Sequence, residues 1–193
     1  MATNDYHFIT HWRVKSTLAE INDILGNAND LPRWWPSVYL DIKQLATGNE
    51  QGIGRVISLF TKGWLPYTLQ WQFRVTENRY PYGFTIEAWG DFVGRGIWTF
   101  EQQDDDVIIT YDWKIVAEKA ILRTFSFIMK PFFAANHEWA MRMGLISLER
   151  ELRYRHAQTE AERAAIPPPP APTFAGLIPK LQAPTVILGA NKA

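Results

Sequence analysis

The stretch PFFAANHEWAMRMGLISLEREL, residues 131–152, is the part of the chain on which the fold turns. At about 100° per residue, Glu138, Arg142, Glu149 and Arg153 gather in one narrow stripe. Phe133, Ala140, Met143, Gly144, Leu148 and Leu152 spread over the wide opposite side, together with the polar Asn136, His137 and Ser147. A helix with so broad an apolar side needs a partner wrapped around it. The helical period begins near Ala120, and Pro131 predicts a break there, with a short first helix and a long second one running to about Ala164.

The partner lies earlier in the chain. Phe8, Thr10, Trp12 and Val14 alternate with His7, Ile9, His11 and Arg13, as a half-buried strand does. Thr17 with Glu20 makes a capping-box pattern, Leu18, Ile21, Ile24 and Leu25 supply a helical stripe, and Gly26 is a stop. Leu31 to Trp35 reads as a second short helix cut by Pro36. The period then switches to two. Val38, Leu40 and Ile42 alternate with Tyr39, Asp41 and Lys43, and a strand follows over Arg55 to Phe60. Tyr67, Leu69, Trp71, Phe73 and Val75 share one face, as do Phe84, Ile86 and Ala88. Trp98 and Phe100 come next, then Val107, Ile109, Tyr111, Trp113 and Ile115. Turns at Pro81-Tyr82-Gly83 and Asp104-Asp105-Asp106 make neighbouring strands antiparallel hairpins. One face of this sheet is rich in rings, and it is the surface available to the long helix.

Composition bounds the function. The chain has 193 residues, 20 basic and 20 acidic, with nine Trp, eleven Phe, seven Tyr and no Cys. The absence of Cys excludes disulfides, a thiolate nucleophile and Cys-ligated metal. Zero net charge argues against a nucleic-acid or anionic-membrane binder. No leader and no apolar run of about 18 residues is visible, so the expectation is a soluble, cytoplasmic protein without integral membrane association. Pro167 to Pro170 and Pro172 mark residues 166–193 as a tail appended to a single domain of residues 1–165. They form a spacer carrying the next segment about 18 Å clear of the helix end. Phe174, Leu177, Ile178 and Val186 to Leu188 are too apolar for a purely solvating tail. They suggest docking on this molecule or on a second copy, with a homodimer as one outcome.

The order of elements is that of an α+β helix-grip fold: a curved antiparallel sheet of about seven strands around a long C-terminal helix. Thr17-Leu18-Ala19-Glu20-Ile21 followed by Leu31-Pro32-Arg33-Trp34-Trp35-Pro36-Ser37-Val38 resembles the helix-pair signature of the SRPBCC superfamily. Gly52-Ile53-Gly54-Arg55-Val56 resembles its next strand start. Gly90-Asp91-Phe92-Val93-Gly94, with Trp98 and Thr110-Tyr111-Asp112-Trp113, resembles its following hairpin. The nearest group is the polyketide cyclase/dehydrase and lipid-transport proteins, and the resemblance covers residues 6–157. It implies a cavity between sheet and helix, on a scaffold that hosts carriers, sensors and enzymes alike.

Residues expected at such a cavity are Tyr67, Trp71, Phe73, Trp98, Tyr111 and Trp113 from the sheet, with Asn136, Ala140 and Gly144 from the helix. His137 is the candidate acid/base or ligand anchor, and Tyr67 and Tyr111 are its partners for a ligand carbonyl. Arg55 meets an acidic ligand if its strand turns it inward. His7 and His11 are about 13 Å apart on a strand, too far to share an ion. His137-Glu138 lacks the second His of a zinc-protease motif, because position 141 is Met141. No metal and no cofactor is expected. The first reading is therefore a module that holds a small hydrophobic ligand, aromatic, polyketide-like or lipid-like. The alternative is a cofactor-free cyclase or dehydratase using His137 with Tyr67 and Tyr111, and a third reading makes the tail a recruiting segment.

Overall fold

The computed structural model describes residues 5–117 and 120–177, with side chains for all of these except 117–130. Seven strands run β1 (Asp5–Lys15), β2 (Tyr39–Ala46), β3 (Val56–Lys62), β4 (Thr68–Asn78), β5 (Gly83–Gly90), β6 (Phe92–Gln103) and β7 (Asp106–Ala117). They form one antiparallel sheet in the order β1-β7-β6-β5-β4-β3-β2. Short helices α1 (Leu18–Gly26) and α2 (Leu31–Trp34) follow β1, and helix α3 spans Ala120–His156. Thr17 caps α1 by accepting the Glu20 amide, and Ser16 donates to the Glu20 carboxylate. Local chemistry thus starts α1, and His156 at the end of α3 adds a long-range contact to the same Glu20 carboxylate at 2.9 Å.

The period-two residues of β4, β5, β6 and β7 do face inward. Trp71, Phe73, Val75, Ile86, Ala88, Trp98, Phe100, Val107, Ile109, Tyr111 and Trp113 are all buried in one core with Trp12, Ile21, Trp34, Trp35, Leu148 and Leu152. Gly96 lets the rings lie flat: a Cβ there would sit 2.8 Å from the Tyr111 hydroxyl and 2.9 Å from the Trp113 ring. Tyr111 accordingly stacks between Trp98, at 4.0 Å, and Trp113, at 5.6 Å. The helix-side anchor is ionic. Arg33 of α2 makes two 2.7 Å hydrogen bonds to Glu151, whose buried carboxylate also accepts from Arg155. No described helix is long and apolar enough to cross a membrane.

Three sequence expectations need correction. Helix α3 runs unbroken through Pro131; proline removes one backbone hydrogen bond and disfavours a helix interior without forbidding it. Helix α3 ends at His156, not near Ala164, because Thr159 starts a separate helix α4 (Glu160–Ala164) with a complete capping box to Glu162. The tail does not project clear of the helix end. It turns back, so that Pro168 accepts a hydrogen bond from Arg150 and Thr173 reaches Lys62. Of the apolar tail residues, Ile178 and Val186 to Leu188 lie outside the described residues.

Candidate functional site

A cavity of about 150 Å³ lies between the sheet and α3. Trp71, Phe92, Tyr111 and Trp113 form its floor, and Phe133, His137, Ala140 and Met141 of α3 its roof. Tyr6 and Phe8 of β1 close one side. Trp35, Val38 and Tyr39 close another, and Lys62, Gly63 and Tyr67 form the rim. Among the described residues, Lys62 is the one formally charged side chain in this wall once His137 is neutral.

Of the residues expected from sequence, His137, Tyr67, Tyr111, Trp71, Trp113, Asn136 and Ala140 line this cavity. Four do not. Arg55, Phe73 and Trp98 line a second, smaller space of about 40 Å³, which shares Trp35, Tyr39, Trp71 and Tyr111 with the first. Arg55 is bound to protein there, donating to the Gly26 carbonyl at the end of α1 at 2.8 Å, while its Nε is buried without a partner among the described residues. Gly144 faces neither space. A Cβ on it would collide with the Trp35 ring, so glycine here permits a close helix–ring contact and leaves no void.

His137 stacks on Phe8 with ring centroids 4.2 Å apart. Its Nε2 is buried and has no partner among the described residues. Burial pushes the imidazole down to about 4, since water no longer stabilises the charged form. At neutral pH the ring is therefore uncharged. Burial, and then the neighbouring Tyr6 phenol, raise Tyr67 to about 12. Burial and then Tyr39 raise Tyr111, and burial raises Tyr39 itself. The walls thus present neutral phenols and a neutral imidazole beside the Lys62 ammonium, which is bonded to Thr173. Two other polar groups are already engaged: Thr61 accepts from the Trp71 indole at 3.0 Å, and Asn136 accepts from the Leu65 amide at 3.1 Å. Asn136 is a support for the rim before it is a ligand contact.

Sequence reading missed Tyr39, Trp35, Tyr6 and Lys62. Strict alternation places Tyr39 opposite Val38, yet both line the cavity: Val38 lies in the turn before β2, and the β2–β3 register shifts between Tyr39 and Asp41. A bulge of this kind re-aims one side chain and leaves no mark in the hydrophobic period. His7 pairs with Asp112 and His11 with Thr110 on the outer face, and no metal-binding cluster occurs among the described residues.

A seven-stranded antiparallel sheet, helices after its first strand and one long helix gripped across the ring face identify the architecture. This is the helix-grip fold. The helix-grip chain is similar to the Zhui aromatase/cyclase of Streptomyces sp. R1128, with a TM-score of 0.62, 13% identity and coverage of 80% of this chain and 97% of that one. It is also similar to a Thermus thermophilus protein (TM-score 0.60, 9% identity, 79% and 100% covered). A third similar structure is the ginseng major latex-like protein 151 of Panax ginseng (TM-score 0.52, 10% identity, 70% and 97% covered). At these identities the likeness is one of fold. No protein-family profile and no curated sequence matches the chain.

Proposed function

We propose that the protein binds a small, uncharged, mainly apolar molecule, aromatic or lipid-like, between the sheet and α3. Residues 1–165 are the binding unit in this reading. The observation that carries it is the cavity wall itself: large rings, neutral phenols and the buried Nε2 of His137 without a protein partner among the described residues. Pockets of this composition hold flat apolar ligands and use a few polar groups to orient them. A cavity near 150 Å³ admits a single ring, and a rim that yields admits a fused pair. In the tautomer that carries its proton on Nε2, the unpaired nitrogen donates and so favours a ligand that offers it one carbonyl oxygen.

A second reading is a cofactor-free cyclase or dehydratase in which His137 takes a proton and Tyr67 or Tyr111 polarises a carbonyl. The aromatase/cyclase among the structural neighbours favours it. Against it, an imidazole held near 4 is a weak base at neutral pH. Binding is therefore the better-supported function. Calorimetric titration with 2-acetylnaphthalene and 2-ethylnaphthalene tests the polar contact. The ketone is expected to bind about tenfold more tightly, as one buried hydrogen bond allows, and His137→Leu to remove that preference. Equal affinities in the wild-type protein would contradict the assigned role of His137.

A further inference from the structure

The loop between β3 and β4, Gly63-Trp64-Leu65-Pro66-Tyr67, forms part of the cavity rim through Gly63 and Tyr67. It is held from two directions. From α3, Asn136 accepts the Leu65 amide, and the approach is so close that a Cβ on Gly63 would collide with the Asn136 amide. From the tail, the Thr173 hydroxyl shares its hydrogen between the Gly63 and Trp64 carbonyls, at 3.3 and 3.2 Å. The same hydroxyl oxygen and the Thr173 carbonyl each accept from Lys62 Nζ at 2.6 Å, and the Phe174 ring lies 5.6 Å from that ammonium.

The path of the tail explains how this segment arrives there. Arg150 holds Pro168, and Thr173 reaches the loop that Asn136 also holds. Five polyproline steps from residue 168 to 173 cover about 16 Å, and the helix between residues 150 and 136 covers about 21 Å. The reach of the Arg150 side chain makes up the difference. The proline run thus bridges from Arg150 on α3 to the loop, where it delivers one hydroxyl.

Lys62 makes the contact reversible. The residue is 3% exposed and burial lowers the pKa of its ammonium, with no carboxylate partner among the described residues. All the described hydrogen bonds of its ammonium go to Thr173. If the tail leaves, the ammonium regains water, so detachment exposes a soluble charge and not an apolar surface.

We propose that the Pro-rich tail is a strap that holds the rim loop 63–67 in place over the cavity, with Thr173 as the positioning residue, so that strap release sets the rate of ligand entry and exit. The rate consequence rests on the ligand-binding reading above; the strap itself does not. The amides of Leu65 and Tyr67, which donate to Asn136 and to the Leu65 carbonyl, report on the loop. In the full-length protein, hydrogen exchange at these two amides is expected to quicken about fivefold or more in Thr173→Val, the factor one net hydrogen bond carries. Thr173→Ser keeps the hydroxyl and should exchange as the wild type does. Amides of β4 to β7 should not change in either variant, which separates loop release from general destabilisation. Stopped-flow mixing with 2-acetylnaphthalene should show association and dissociation quickened together in Thr173→Val, with the dissociation constant nearly unchanged. Wild-type exchange at Leu65 and Tyr67 in Thr173→Val would overturn the strap. If the wild-type protein does not bind the probe, ligand gating fails with the binding reading, and the exchange result still decides the strap.

Discussion

His137 links burial to pH. In the unfolded chain an imidazole titrates near 6.5, whereas the folded site holds it at about 4. Between these values the unfolded chain takes up a proton that the native site refuses. Stability is therefore fully present above pH 6.5 and falls as pH drops toward 4, by about 3 kcal/mol over the window. His137→Leu should flatten this part of the stability curve in denaturant titrations at pH 6.5, 5.5 and 4.5; an unchanged slope would mean the ring is not held neutral. At Gly144 the sequence pointed the right way for the wrong reason. A small residue opposite rings was read as space, but the Trp35 ring fills it. Gly144→Ala is thus expected to cost about 1–3 kcal/mol through overpacking, read as a lower melting temperature, without changing ligand affinity. A gain in stability would show that the helix can move away from Trp35. Residue type in a pattern gives the face, and it does not say whether facing shapes interlock.

At the scale of elements, strands with clean alternation were legible and irregular ones were not. Tyr67, Trp71 and Trp113 sit where period two puts them, while Tyr39 escaped because the register shift at Tyr39/Asp41 breaks the period. Pro131 was overread as a helix break: the loss of one backbone hydrogen bond is a local cost, and α3 runs through it. The join between α2 and α3 was invisible in sequence, since an ion pair across 118 positions has no periodic signature. There Glu151 is 4% exposed in its side chain and takes two hydrogen bonds from Arg33 and one from Arg155. Burial alone would raise its pKa, but the hydrogen bonds from Arg33 and Arg155 bring it below the usual carboxylate value. Arg33→Met leaves Arg155 in place and should cost about 1–3 kcal/mol, the range for hydrogen bonds to a buried charge. Chemical denaturation checks it, and a change within error would mean that Arg155 suffices to hold the carboxylate.

For the whole molecule, the helix-grip architecture was written in two periods: period two in rings before residue 117 and a broad helical stripe after residue 131. What the sequence left open was where the sheet and helix fail to meet. The cavity exists because Ala140 and His137 oppose Trp71 and Trp113 without filling the space between them, and volume differences of that size are not encoded in polarity. The central claim is that this space is a ligand site. Isothermal calorimetry with 2-acetylnaphthalene on the wild-type protein and on Ala140→Trp tests it most directly, because Ala140 lines the cavity and an indole there occupies it. The account predicts measurable binding to the wild-type protein and its loss in a folded Ala140→Trp. Binding of equal strength to both proteins, or to neither, would contradict it.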